Sequence, residues 1–154
     1  YGTFDGGREK APAAISRKII EAKMNTKDFI DIWGDGEQTR SFLYIDDCIE
    51  GTLKLFESNH REPINIGSDE QVSINQLVDV VEKISAVKLN RNYQLDKPLG
   101  VRGRSSNNDK LKKVLKWNYS IKLEEGMKKT YDWIYESLIK NDSSVRKFTK
   151  AGLE

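Results

Sequence analysis

The residues of this chain best suited to chemistry are arginines and lysines set beside glycine. In Gly100-Val101-Arg102-Gly103-Arg104 a guanidinium follows glycine in a polar loop. Such a loop lets an oxyanion approach closely, and the planar fork of Arg104 matches a pair of phosphate oxygens. Arg102 is the second candidate contact. Lys10, in Gly6-Gly7-Arg8-Glu9-Lys10-Ala11-Pro12, stands at an expected helix start, where a cation is mildly unfavourable with the helix dipole. Lys18 follows eight positions later and shares the expected helix face two turns on. Gln38-Thr39-Arg40 adds a further cation beside a short expected strand.

The other reactive side chains carry less. Cys48 falls one turn into an expected helix beside Ile49 and reads as a small core residue. As the only cysteine it excludes an internal disulfide and fits a reducing cytosol. His60, the only histidine, lies between Asn59 and Arg61 and suggests neither a metal centre nor a triad. Trp33, Trp117 and Trp133 are expected to pack. Tyr93 and Lys97 have Tyr-x-x-x-Lys spacing, but they lie in an expected strand followed by Pro98. No helix there brings both side chains to one face. The Gly-x-x-Gly-x-x-Gly loop that seats a dinucleotide pyrophosphate at a helix N-terminus does not occur.

With 154 residues, the chain is long enough for one domain with its own core. It is 37% hydrophobic and 32% charged with a net charge of +2, and Lys and Glu are mixed throughout. That balance points away from nucleic acid and anionic membrane as main partners, while a local basic cluster suffices for a small anionic ligand. No apolar run is long enough to span a bilayer. The abrupt start at Tyr1, without Met or a polar lead-in, suggests a fragment of a longer protein.

Several elements must position these side chains. Pro12 suits a first helical turn, and Ile15, Ile19 and Ala22 give a helix near 11–24. Short strands are expected at 29–32, 41–44, 63–66 and 89–95. A helix capped by Asp46 is expected to turn Ile49, Leu53 and Phe56 inward. Ser73 and Gln76 have capping-box spacing ahead of the stripe Leu77, Val80, Val81 and Ile84. Helices at 109–115 and 123–139 follow, the latter with Met127, Tyr131, Ile134 and Leu138 on one face. The expected fold is α/β: a small, helix-rich domain of short strands over 1–140, lacking a Rossmann core, with a frayed tail at 141–154.

Gly34-Asp35-Gly36-Glu37-Gln38-Thr39-Arg40-Ser41-Phe42-Leu43-Tyr44-Ile45-Asp46-Asp47 resembles a hallmark of the extended short-chain dehydrogenase/reductases that act on nucleotide sugars. Asn65-Ile66-Gly67-Ser68 and Leu115-Lys116-Trp117 agree in order and spacing, with Lys116 replacing the family's usual glycine. Gly6-Gly7-Arg8-Glu9-Lys10-Ala11-Pro12-Ala13-Ala14, Ser41 after Arg40, and the Arg102-Gly103-Arg104 run are similar to the branch of 3,5-epimerases acting on GDP-mannose.

The resemblance implies the C-terminal, substrate-binding part of an NAD-dependent cytoplasmic isomerase. Its NAD would be held by the missing N-terminal domain, the intact enzyme would be a homodimer, and this portion alone would be inactive. It implies Lys10 as a catalytic acid–base, working with a cysteine of the other half on a 4-keto sugar. It also implies Glu9, Lys10, Lys18, Gln38, Thr39, Arg40 and Arg104 as contacts to a GDP-sugar. Two alternatives stay open: a sibling 4-epimerase, 4,6-dehydratase or decarboxylase, and a nucleotide-sugar-binding module without chemistry.

Overall fold

The computed structural model describes residues 4–98 and 100–140. The expected frayed tail, 141–154, lies outside the described residues. Among them are five helices, α1 (Ala11–Met24), α2 (Ile45–Glu57), α3 (Ile74–Ser85), α4 (Asp109–Leu115) and α5 (Leu123–Ile139). Five short strands accompany them: β1 (Phe29–Trp33), β2 (Thr39–Ser41), β3 (Gln71–Ser73), β4 (Asn90–Gln94) and β5 (Gly103–Arg104).

Apolar periodicity explains the core. The stripe Ile15, Ile19 and Ala22 of α1 is buried, as is Met127, Tyr131, Ile134 and Leu138 of α5. Leu77, Val78 and Val81 of α3 complete the cluster, with Val80 and Ile84 packed at its edge. Alternation in β1 sends Ile30 and Ile32 inward and leaves Phe29, Asp31 and Trp33 outside. The start of α3 carries the reciprocal capping box: Ser73 Oγ accepts from Gln76 N, and Gln76 Oε1 accepts from Ser73 N.

The strands form two small sheets. β1 and β4 pair in parallel, Phe29 opposite Asn90 through Trp33 opposite Gln94. β2 lies between β3, antiparallel, and β5, parallel. This is mixed α/β architecture built on short strands.

Local expectations fail where side-chain bonds replace the ladder. The strand expected at 63–66 is absent: Pro63 has no N–H to give, Pro63 O accepts from Lys110 Nζ at 2.8 Å, and Gly67 O accepts from Asn108 Nδ2 at 2.8 Å. The strand expected at 41–44 is β2, centred earlier, because its partners in β3 and β5 flank 39–41. Gly103 and Arg104, expected in a loop, form β5.

The N-cap of α2 is Tyr44, without a side-chain cap, so Asp46 sits inside the first turn. Neighbouring Asp47 is buried instead and accepts from Ser120 N, Ser120 Oγ and Ile121 N. Those bonds turn the helix so that Ile49, Leu53 and Phe56, expected inward, are exposed, and Cys48 is only half-buried rather than a core residue.

Candidate functional site

The N-terminal half of α1, the segment before it, β1 and β2 surround a cavity of about 550 Å³. Glu9, Lys18, Gln38 and Arg40 line it, together with Trp33 and Asp31. Four residues singled out in the sequence therefore converge here from three separate segments.

Lys18 is held by a short bond from Nζ to Asp31 O, 2.7 Å. Burial, and then the charge of Arg17, push its ammonium below the ordinary lysine pKa. Gln38 is buried; its Nε2 donates to Trp33 O at 3.0 Å, while its Oε1 has no partner among the described residues. A buried acceptor left unsatisfied is costly. Trp33, expected to pack, is 53% exposed at the cavity wall, because strand alternation turns it away from the core beside Ile32. Trp117 and Trp133 do pack: the Trp133 ring meets Phe4 edge-on at 5.3 Å, and Trp117 lies against Gly51.

Arg40 and Arg104 are register partners on the parallel strands β2 and β5. Paired residues of a parallel ladder face the same side, so two guanidinium groups from distant parts of the sequence stand together where like charges repel. Arg40 Nη1 donates to Thr39 O at 2.6 Å, which keeps its base against the strand. Arg104 is exposed and makes no side-chain hydrogen bond among the described residues. Thr39 lies beside them on β2, its Oγ1 accepting from Gln71 Nε2 at 2.9 Å. Arg102 is committed elsewhere: its Nη1 reaches Asp35 Oδ2 at 2.7 Å, which holds that carboxyl below its usual range.

Lys10 departs from its expected placement. It is the N-cap of α1, with extended backbone at φ −85° and ψ 164°, so it does not share a helix face with Lys18. It is exposed and does not line the cavity, although Glu9 and Ala11 on either side do. Glu9 is anchored: Oε2 accepts from Gly7 N at 2.7 Å and Oε1 from Arg17 Nη2 at 3.0 Å. Burial works to raise its pKa, but the backbone bonds and the Arg17 charge outweigh that and lower it. Arg17 was missed by sequence reasoning. Its signal was present in the helical spacing of Arg17 and Glu21, an ordinary i,i+4 ion pair.

Among the described residues no group of His, Cys, Asp or Glu could hold a metal ion, and no helix is long and apolar enough to cross a membrane. Tyr93 lies in β4 with its hydroxyl on Asn75 Oδ1 at 3.0 Å, and Lys97 pairs with Asp96, so the Tyr93–Lys97 spacing builds no shared helix face.

The family model for GDP-mannose 4,6 dehydratase matches residues 5–130, most of the sequence. The chain belongs to this family. Within it, the chain is 49% identical to GDP-mannose 3,5-epimerase of Arabidopsis thaliana over 140 residues, 91% of this chain and 36% of that protein. It therefore spans little more than a third of that relative's length. UDP-glucose 4-epimerase of Thermotoga maritima superposes with a TM-score of 0.78 at 27% identity, covering 90% of this chain and 44% of that one. A mutant of UDP-glucuronic acid 4-epimerase of Bacillus cereus, solved with UDP-4-deoxy-4-fluoro-glucuronic acid and NAD, gives 0.70 at 33% identity, covering 79% of this chain and 40% of that one. Each of these relatives thus matches this chain through part of its own length.

Proposed function

We propose that this chain is the substrate-binding and part-catalytic portion of a nucleotide-sugar epimerase, one that inverts C3 and C5 of GDP-mannose. The observation that carries the reading is the register pairing of Arg40 with Arg104 at the cavity that Arg40 and Lys18 line. Arg104 stands beside Arg40 outside the cavity lining, and two guanidinium forks with an ammonium so grouped suit a diphosphate, whose charge offsets their mutual repulsion. The similarity to GDP-mannose 3,5-epimerase supports GDP-mannose as the sugar nucleotide.

The described residues do not fit a dinucleotide: the Gly34–Gly36 turn leads from β1 into β2 rather than into a helix N-terminus. NAD belongs in this reading to a portion of the enzyme outside the chain, where it supplies reversible oxidation at C4. Arg40, Arg104 and Lys18 hold the diphosphate, and Gln38 and Glu9 face the sugar end of the cavity. Lys10, at the rim, exchanges a proton with a carbon next to the C4 ketone, where the carbanion delocalises as an enolate.

The test is deuterium incorporation from deuterated water into GDP-mannose by the NAD-bearing enzyme. Lys10→Ala is expected to lower exchange by about 10²–10⁴-fold. Lys10→Arg is expected to fail almost as badly, because a guanidinium does not release its proton. Exchange at both carbons at the wild-type rate in Lys10→Ala would remove Lys10 from the chemistry.

A further inference from the structure

The segment that carries Glu9 and Lys10 runs through two glycines into helix α1. Gly6 and Gly7 adopt φ of 94° and 82°, the left-handed region open to glycine. The Gly7 N–H is bonded to Glu9 within the same loop, and Gly6 N likewise closes on Asp5 Oδ1. Lys10 O accepts from Ala14 N at 2.9 Å as helix α1 begins, and two further attachments join the segment to the rest of the fold. One is the Phe4 ring, buried against Trp133. The other is Arg17.

Arg17 makes three directed bonds from one guanidinium. Nε donates to Phe4 O at 2.9 Å, Nη2 to Glu9 Oε1 at 3.0 Å and Nη1 to Glu21 Oε2 at 2.9 Å, with Asp5 Oδ1 3.9 Å from Nε. Its side chain is 16% exposed and that of Glu9 8%, so these are sheltered contacts. Three carboxylates around one guanidinium leave no surplus positive charge there. Arg17 is therefore unsuited to gripping a phosphate, although it stands at the cavity wall beside Lys18. Its fork instead ties both ends of the 4–9 segment to the second turn of α1, one residue before Lys10.

We propose that Arg17 is a positioning residue for the proton-transfer step: by locking Phe4 O and Glu9 to helix α1 it fixes the backbone from which Lys10 projects. This rests on the epimerase reading for its consequence, though not for its geometry. Lys10 has no side-chain anchor among the described residues, so its placement depends on its backbone. A displacement of about 1 Å at a reacting group costs up to about 10²-fold in rate.

The experiment uses Arg17→Gln in the NAD-bearing enzyme, with two readouts. Deuterium incorporation at C3 and C5 is expected to fall about 10–100-fold in kcat, with KM for GDP-mannose within about threefold of wild type, since Arg40 and Arg104 are untouched. Amide hydrogen exchange of a peptide spanning residues 5–12 is expected to accelerate at least about tenfold while peptides from α3 and α5 stay protected. The double variant Glu9→Gln/Arg17→Gln is expected to be no slower than the worse single one, because the two act through one contact. Lower thermal stability with kcat unchanged would make Arg17 structural only and overturn the proposal, as would a rise in KM with kcat intact. If the wild-type enzyme incorporated no deuterium, the epimerase reading would fail, and peptide exchange would decide the loop clamp by itself: unaltered protection of 5–12 would refute it.

Discussion

Helices α2 and α3 share a pattern and meet opposite circumstances. Each carries an apolar stripe at helical spacing: Ile45, Ile49, Leu53 and Phe56 on α2, Leu77, Val81 and their neighbours on α3. On α3 Leu77, Val78 and Val81 are fully buried among α1 and α5 residues, with Val80 and Ile84 at the edge. On α2 the four side chains are 51–84% exposed, and the helix is docked by its other side, through buried Asp47 and Gly51. Apolar burial holds α3, whereas a buried carboxylate and a close ring contact hold α2. A stripe defines a face; what covers that face depends on the rest of the fold. The same division runs through the candidate site, where Glu9 and Lys18 line the cavity and are bonded into the fold, while Lys10 and Arg104 are exposed and lie outside its lining.

Truncating the two stripes separates these cases most strongly. Leu77→Ala is expected to cost about 2–5 kcal/mol, as for a fully buried leucine in a close-packed core. Leu53→Ala should remain within about 0.5 kcal/mol, being a surface change away from any cap or network. Urea unfolding of both variants measures the pair. Equal losses would mean that Leu53 is covered in the protein tested, and the contrast between the helices would break.

Arg104 tests the contrast at the site. With no hydrogen bond to lose among the described residues, Arg104→Ala should leave thermal stability nearly unchanged. In the NAD-bearing enzyme it should raise KM for GDP-mannose by an amount corresponding to about 1.5–3 kcal/mol, the value of a charged hydrogen bond. A stability loss with unchanged KM would place Arg104 among the anchored residues and take it out of substrate binding.

Gly51 sharpens the account of how α2 is attached. A Cβ there would stand 2.7 Å from the Trp117 ring and 2.9 Å from Ile66 Cγ2, so the helix could not keep its distance. Gly51→Ala is expected to destabilise by about 1–3 kcal/mol through overpacking, despite the better helix propensity of alanine. Thermal melting of the variant measures this, and a gain in stability would show that Trp117 yields easily.

Much of the architecture was legible because it rests on local rules. The Ser73–Gln76 box, Pro12 in the first turn of α1 and the stripes of α1, α3 and α5 each announce a boundary or a buried face within a few residues. The failures share a physical origin in distant partners. Nothing near Asp47 in sequence reveals that the 120–121 backbone amides will bind it, yet those bonds set the rotation of α2. The candidate site divides likewise: the types of Arg40 and Arg104 suggest anion binding, but their adjacency is a property of the β2–β5 register. The role of Arg17 toward the preceding segment is not legible in the sequence, because its partners Phe4 O and Glu9 lie before the helix.

The smallest effect concerns the end of α4 and compares it with the end of α3. Both helices stop at a non-glycine residue in the left-handed region, Ala86 at φ 54°, ψ 36° after α3 and Lys116 at φ 48°, ψ 36° after α4. A left-handed L-residue costs roughly 1–2 kcal/mol, which glycine avoids, though glycine also gives the unfolded chain more freedom to lose. The two effects oppose, and relief of strain is the larger, so Lys116→Gly should raise stability by about 0.5–1 kcal/mol. Lys116 is exposed and lies outside the cavity lining, so KM and kcat should not move. Ala86→Gly should gain a similar amount, since Ala86 is also exposed and its dihedral angles nearly match. Urea midpoints for both variants check the pair. A loss of stability in Lys116→Gly alone would mean that the lysine stem packs on its surroundings, and α4 would then end on a side-chain contact instead of a strained backbone.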